Sequence, residues 1–216
     1  FCARSAAVGT GSHLSAVALA DGTLVFGGGA SGTPRITTYA PAALASTSPQ
    51  PSQVLAAGPA QGLQVTWPGT APTEFSALAA LPDGTVFAAA GDKLLQLPRP
   101  LAAGQAKVAL SGIGTVLALA VTSDSTAPGN EVLWAAFRII DPNNPPQLVT
   151  VVKGYTVGSG GIAEVADLAM DSSAAVQDAF GAQVALGVSP DGQTLWMADG
   201  LPGAPSQVRL QGFTLS

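Results

Sequence analysis

Short apolar runs joined by Asp-Gly bends recur along the chain. Leu14-Ser15-Ala16-Val17-Ala18-Leu19-Ala20 runs into Asp21-Gly22-Thr23, then Leu24-Val25-Phe26 and Gly27-Gly28-Gly29. A second copy passes from Phe75–Leu81 through Pro82-Asp83-Gly84-Thr85 to Val86-Phe87 and on to Gly91. The last goes from Val184–Val188 through Ser189-Pro190-Asp191-Gly192-Gln193 to Thr194-Leu195-Trp196-Met197-Ala198. A looser copy runs from Val116 to Val121 and resumes at Val132-Leu133-Trp134, with Ser123 to Asn130 as an expanded turn. Asp-Gly supplies the positive φ that a tight hairpin needs, and β-branched or aromatic flanks suit paired strands. Pro82 and Pro190 pre-set φ for the bend. The pattern predicts four β-hairpins.

Further short strands are predicted at Ile36–Tyr39, Leu63–Trp67, Lys93–Leu97, Lys107–Leu110, Phe137–Ile140, Leu148–Lys153 and Gln207–Phe213. Pro-, Ser- and Gly-rich stretches at 41–52, 126–130 and 141–146 read as surface loops. Residues 163–180 read either as a helix or as another strand and loop, because their polar positions do not separate onto one face. Four hairpins, each with one or two added strands, make units of roughly 54 residues, the size of a four-stranded propeller blade with its loops. A sandwich also yields many short strands. The same turn chemistry at the same place in each unit favours an all-β propeller of about four blades, or part of a larger one, spanning 1–216 as a single domain or segment.

Composition narrows the functions. The chain has 216 residues, with 8 Lys+Arg against 13 Asp+Glu and a formal charge of -5. An acidic balance speaks against nucleic acid, since no counterion-releasing basic surface is available. Only 10% of residues are charged, far below the usual quarter. That favours life inside a larger complex or at a cell exterior, with other protein chains of an assembly as the expected partners. Gly, Pro or polar residues break every apolar run before the ~18 residues of a membrane helix, so no membrane insertion is expected. The chain begins at Phe1, which fits a processed secreted protein, an excised domain or a segment of a longer polypeptide.

Phe1-Cys2, residues 20–28 (Ala-Asp-Gly-Thr-Leu-Val-Phe-Gly-Gly) and residues 36–41 (Ile-Thr-Thr-Tyr-Ala-Pro) together resemble a Kelch-type blade. More narrowly, they resemble the start of the galactose oxidase and glyoxal oxidase propeller, and Phe75 to Gly91 is similar to that family's next blade. The likeness covers about the first 90 residues. Residues 188–198 are closer to lactonase or surface-layer propeller repeats, and Gly11-Ser12-His13-Leu14 resembles an RCC1-type repeat. The oxidase resemblance implies a copper site with a Cys–Tyr cross-link, two His and a second Tyr. Cys2 matches the cysteine. The partner tyrosine falls near Phe75, which has no phenol oxygen, and the chain has one His. The resemblance therefore implies a truncated half of such a fold or lost chemistry.

Other candidates are weighed against plainer roles. His13, at a strand entrance, reads as structural, since no nucleophile stands in a triad context. Cys2 reads as a small apolar residue, a link to another chain or a redox thiol; Arg4 is its nearest cation in sequence. Asp124, Asp141, Asp171 and Asp191 read as turn initiators, with no EF-hand spacing among them. Trp134 and Trp196 occupy equivalent second-strand positions and read as core. Trp67, between Thr66 and Pro68-Gly69, reads as an exposed platform able to stack on a sugar. Neither Gly27-Gly28-Gly29 nor Gly158-Ser159-Gly160-Gly161 has the Lys-Ser/Thr of a phosphate loop. Residues 45–52 suit an extended linker, open to O-glycosylation in a secreted setting. With no complete site, no metal and no cofactor is assigned. The expectation is a non-catalytic structural or interaction module, with a copper radical oxidase fragment and a glycan-binding propeller as alternatives.

Overall fold

The bends at Asp21, Asp83 and Asp191 share one geometry in the computed structural model, which describes residues 12–45, 49–58, 62–65, 71–122, 131–143, 145–146, 148–158, 161–168, 184–201 and 204–215. At each bend the glycine N–H donates to a carbonyl three residues back, from Gly22 to Leu19, Gly84 to Leu81 and Gly192 to Ser189, all at 2.9 Å. The aspartate Oδ1 accepts the backbone N–H two residues on, from Thr23 at 2.9 Å, Thr85 at 2.8 Å and Gln193 at 3.0 Å. Only the glycine is left-handed, with φ of 81°, 88° and 72° in the three bends, a region that costs other residues about 1–2 kcal/mol. The aspartate is therefore the carboxylate clasp of the bend and not a second positive-φ residue.

The first sheet is hydrogen-bonded in the order β1 (Ser12–Ala18), β2 (Leu24–Ala30), β3 (Thr33–Tyr39) and, after a one-turn helix α1 (Pro41–Leu44), β4 (Gln53–Ala56). Next in the chain, β5 (Leu63–Gln64) pairs in parallel with β9 (Gly104–Gln105). The second sheet holds β6 (Ala77–Ala80), β7 (Val86–Ala90), β8 (Lys93–Gln96) and β10 (Lys107–Ser111), in the order β10-β8-β7-β6. The third is β11 (Thr115–Thr122), β12 (Val132–Ile140), β13 (Leu148–Gly158) and β14 (Gly161–Leu168), in sequence order. The fourth is β15 (Val184–Val188), β16 (Thr194–Leu201) and β17 (Ala204–Thr214). Within the first, third and fourth sheets successive strands run antiparallel.

Several predicted boundaries move. Phe137–Ile140 is the second half of β12, and the strand predicted at Leu148–Lys153 runs on to Gly158. The strand predicted at Leu63–Trp67 reduces to the short β5, with residues 66–70 outside the described residues. From the ambiguous segment 163–180, the part up to Leu168 is strand, and 169–183 lies outside the described residues. Gly27-Gly28-Gly29 lies inside β2 and does not end it. A methyl group on Gly27 would sit 2.9 Å from the Leu78 side chain, and one on Gly29 would meet the Thr73 carbonyl and Glu74. The glycines let the second sheet approach the first closely.

The chain forms two compact units, Phe1–Ala90 with Leu95–Lys107, and Gly91–Leu94 with Val108–Ser216. In the first unit Val25, Ile36 and Leu55 pack against Phe75, Leu78, Val86 and Ala88. Two hydrogen bonds fasten these sheets: Phe75 N–H to the Gly28 carbonyl and Leu78 N–H to Ser15 Oγ, both 2.9 Å. In the second unit Ala118, Trp134, Ala136 and Val152 pack against Leu195 and Met197.

Candidate functional site

Side chains alternate across a strand, so the buried set fixes which residues face the other way. On β16, Leu195 and Met197 are buried against the third sheet. Trp196 and Ala198 must then point to the opposite side. Their partners across β17 are Gly212 and Leu210, and the next pair joins Gly200 to Val208. Across β15, Trp196 and Ala198 face Gly187 and Ala185. The described side chains of this face are uncharged. It is also open: Trp196 is 43% exposed, Leu210 65% and Val208 70%.

Trp134 shows what this position does when covered. It pairs with Gly154 across β12 and β13, as Trp196 pairs with Gly212. In both sheets the ring lies over the glycine, since an added methyl would sit 2.6 Å from Trp134 Cζ3 at Gly154 and 2.9 Å from Trp196 Cζ3 at Gly212. Trp134 also donates its indole N–H to Thr122 Oγ1 at 3.0 Å. The two tryptophans are equivalent, as the sequence implied, but they are not both core. Trp134 is only 5% exposed because Leu195 and Met197 cover its face. Among the described residues no such pair covers Trp196.

The first sheet carries a comparable face. Ala16 and Ala18 on β1 are exposed and pair with Phe26 and Leu24 on β2, which are half-buried. Val54 on β4 is 48% exposed. Phe26 meets Tyr39 edge-on, with ring centroids 5.6 Å apart at 87°.

Of the residues singled out from sequence, Cys2, Arg4, Trp67, Asp124 and Asp171 lie outside the described residues. His13 lies on β1 opposite Gly28 in the register. Phe75 is wholly buried in the core of the first unit, so the position that the oxidase resemblance assigns to a tyrosine is filled by packing. The two tyrosines, Tyr39 and Tyr155, are buried as well, and Tyr155 meets Phe137 edge-on at 6.2 Å. Asp141 is a turn residue as expected, accepting the Asn143 N–H at 2.8 Å. Asp191 accepts from the Ser189 hydroxyl as well as Gln193 N–H, which holds its carboxyl below the ordinary value. Lys93 is a buried cation, 6% exposed, with Nζ 2.9 Å from Asp92 Oδ1. That contact is the leading cause of a lowered carboxyl pKa at Asp92. No group of three His, Cys, Asp or Glu able to hold a metal occurs among the described residues.

The open tryptophan face was missed at the level of sequence, although a signal for it exists. Leu133-Trp134 is followed by Gly154-Tyr155-Thr156, and Leu195-Trp196 by Gly212-Phe213-Thr214. Glycine opposite tryptophan marks the same face in both sheets.

The sequence matches no protein-family model and no curated protein. Solved structures do share its architecture. A chain of the Mitotic Checkpoint Complex superposes with a TM-score of 0.54 at 14% identity, over 94% of this chain and 49% of that one. The K499G mutant of NanB sialidase from Streptococcus pneumoniae gives 0.50 at 14% identity, over 90% of this chain and 28% of the sialidase. The chain thus spans about half the length of the first and little more than a quarter of the second. Such neighbours are β-propellers, and the chain has the β-propeller fold, with antiparallel sheets as its blades.

Proposed function

We propose that the chain, as one propeller domain or segment, is a non-catalytic module that works by protein contact in an extracellular or cell-surface assembly. The observation that carries this reading is the uncharged, open face of the fourth sheet around Trp196, Val208 and Leu210. Contiguous apolar surface of this kind marks contact sites in soluble proteins. Low charge over the whole chain supports the same reading, and the Ser/Thr/Pro-rich tract at 45–52 supports the exterior location. The native protein is expected to run in size measurements as an assembly heavier than the 21.2 kDa chain. Leu210→Glu should release it. A turnover by the purified chain that is lost on His13→Ala or Cys2→Ser would overturn the reading.

The likeness of residues 20–28, 36–41 and 75–91 to a Kelch-type propeller supports a second reading, a fragment of a copper radical oxidase-like protein. Buried Phe75 weighs against it, because no oxygen is available there to bind copper or carry a radical. Copper content and hydrogen peroxide release, measured on the longest native polypeptide, decide between the two. Glycan binding at Trp67 rests on its Pro-Gly neighbours in sequence, and a glycan array with a Trp67→Ala control tests it.

A further inference from the structure

Arg35, Thr37 and Tyr39 share one face of β3, because strand side chains alternate and Ile36 between them is buried in the core of the first unit. In register Arg35 lies between Gly28 on β2 and Ala56 on β4, Thr37 lies between Phe26 and Val54, and Tyr39 lies opposite Leu24. The row neighbours of Arg35 are thus a glycine and an alanine, too small to wall in its guanidinium. The Tyr39 ring meets Phe26 edge-on at 5.6 Å, which ties the phenol to the Thr37 row. Val54, 48% exposed, opens that row to solvent.

Two donors on this face are spent on nothing. Arg35 Nε and the Tyr39 hydroxyl are both buried, and neither has a hydrogen-bond partner. A buried donor left unbonded weakens a fold, and such groups call for a cause. Charge points the same way. Lys93, Arg99 and Lys153 each have a carboxylate oxygen within 2.9 Å. Arg35 is half-buried and has no carboxylate among the described residues, although the chain carries 13 Asp+Glu.

We propose that Arg35 and Tyr39 bind a carboxylate group lying along β3 over Thr37. The site belongs to the first sheet alone and does not depend on the protein-contact reading. Arginine donates Nε–H and a neighbouring Nη–H as a planar fork that matches two carboxylate oxygens, and the Tyr39 O–H takes a further lone pair. The two residues stand about 13 Å apart along the strand at ~3.3 Å per residue, a gap that two long side chains close around one planar group. A phosphate, with up to two charges and a tetrahedral shape, fits a single guanidinium less well. Both donors are already out of water, so the bonds form in a medium of low dielectric where they are strong.

The test uses the purified 216-residue chain with its five arginines labelled with nitrogen-15. Sodium acetate is titrated against sodium chloride at equal ionic strength, which cancels screening, and the Arg Nε–H signals are followed by NMR. The Arg35 signal should shift saturably with acetate and half-saturate on the order of 1 mM, while chloride leaves it in place. Tyr39→Phe removes only an unbonded hydroxyl and should weaken binding about tenfold. Arg35→Gln should abolish binding, read as the loss of acetate shifts at the Thr37 amide. Lys107→Gln, at an exposed cation on β10, should change nothing. If Arg35→Gln fails to fold, Tyr39→Phe still decides. No Arg35 shift at 100 mM acetate, a drift shared by all the arginines without saturation, or a Tyr39→Phe titration equal to that of the unmodified chain would each overturn the proposal. N-acetylglutamate α-amide and glucuronate then separate a protein side chain from an acidic sugar as the carrier of the group, the carrier being the one that half-saturates lower.

Discussion

At Asp21 the backbone N–H of Thr23 holds the carboxyl below its usual value of 3.8, and at Asp191 the Ser189 hydroxyl does so first, with the Gln193 N–H second. Both groups are depressed in the folded chain, so each contributes stability above the ordinary carboxylate value and loses it as pH falls through the lower folded value. Titration of the side-chain carboxyl carbons by NMR should place both midpoints below 3.8. Protection of the Thr23 and Gln193 amides should fall with them, and midpoints at or above 3.8 would contradict the clasp geometry. These clasps were legible because Asp-Gly acts within four residues. What the dipeptide did not reveal is the division of labour, with glycine alone taking the left-handed backbone. The exposure of Trp196 was hidden for a different reason. Around the ring, Leu195-Trp196-Met197-Ala198 is as apolar as Leu133-Trp134-Ala135-Ala136, and burial is decided by whether another sheet arrives.

The strands are held by what their glycines permit. Trp134 can lie flat on β13 because Gly154 has no side chain beneath the ring, and Leu195 with Met197 then closes over it. Gly154→Ala should cost about 1–3 kcal/mol in urea unfolding, since the buried ring has nowhere to move. Gly212→Ala makes the same collision with a half-exposed ring and should cost under about 1 kcal/mol in the isolated chain. Equal costs would show that the two rings are equally confined. At this scale the hairpins were legible from apolar runs and bends. The parallel pairing of β5 with β9 was not, because two-residue strands carry no periodicity. The continuity of β12 through Ala135-Ala136 was also lost, since two small residues between apolar groups look like a break until both faces are buried.

Each unit keeps its own core, and each should answer separately to damage. Leu55 at 5% exposure and Leu195 at 0% sit in different cores. Truncating either to alanine should cost about 2–5 kcal/mol by transfer and cavity terms. Hydrogen exchange should show Leu55→Ala loosening amides of β2 and β6 more than those of β12 and β16, with Leu195→Ala doing the reverse. Uniform loosening in both variants would mean that the units unfold as one. The sheets and their radial family were legible because the bend repeats. The division near Ala90 and Leu95 was not, as it falls inside an ordinary Gly-Asp-Lys turn with no shift in composition.

The bends also bear on how the molecule ages. Asp-Gly pairs are prone to cyclise, the glycine nitrogen attacking the aspartyl carboxyl with loss of water, and reopening leaves a β-linked isomer. At Gly22, Gly84 and Gly192 that nitrogen is engaged through its hydrogen with a carbonyl, while the carboxylate is held by the amide beyond it. The folded chain thus shields these three bends, and storage damage at them becomes a clock for time spent unfolded.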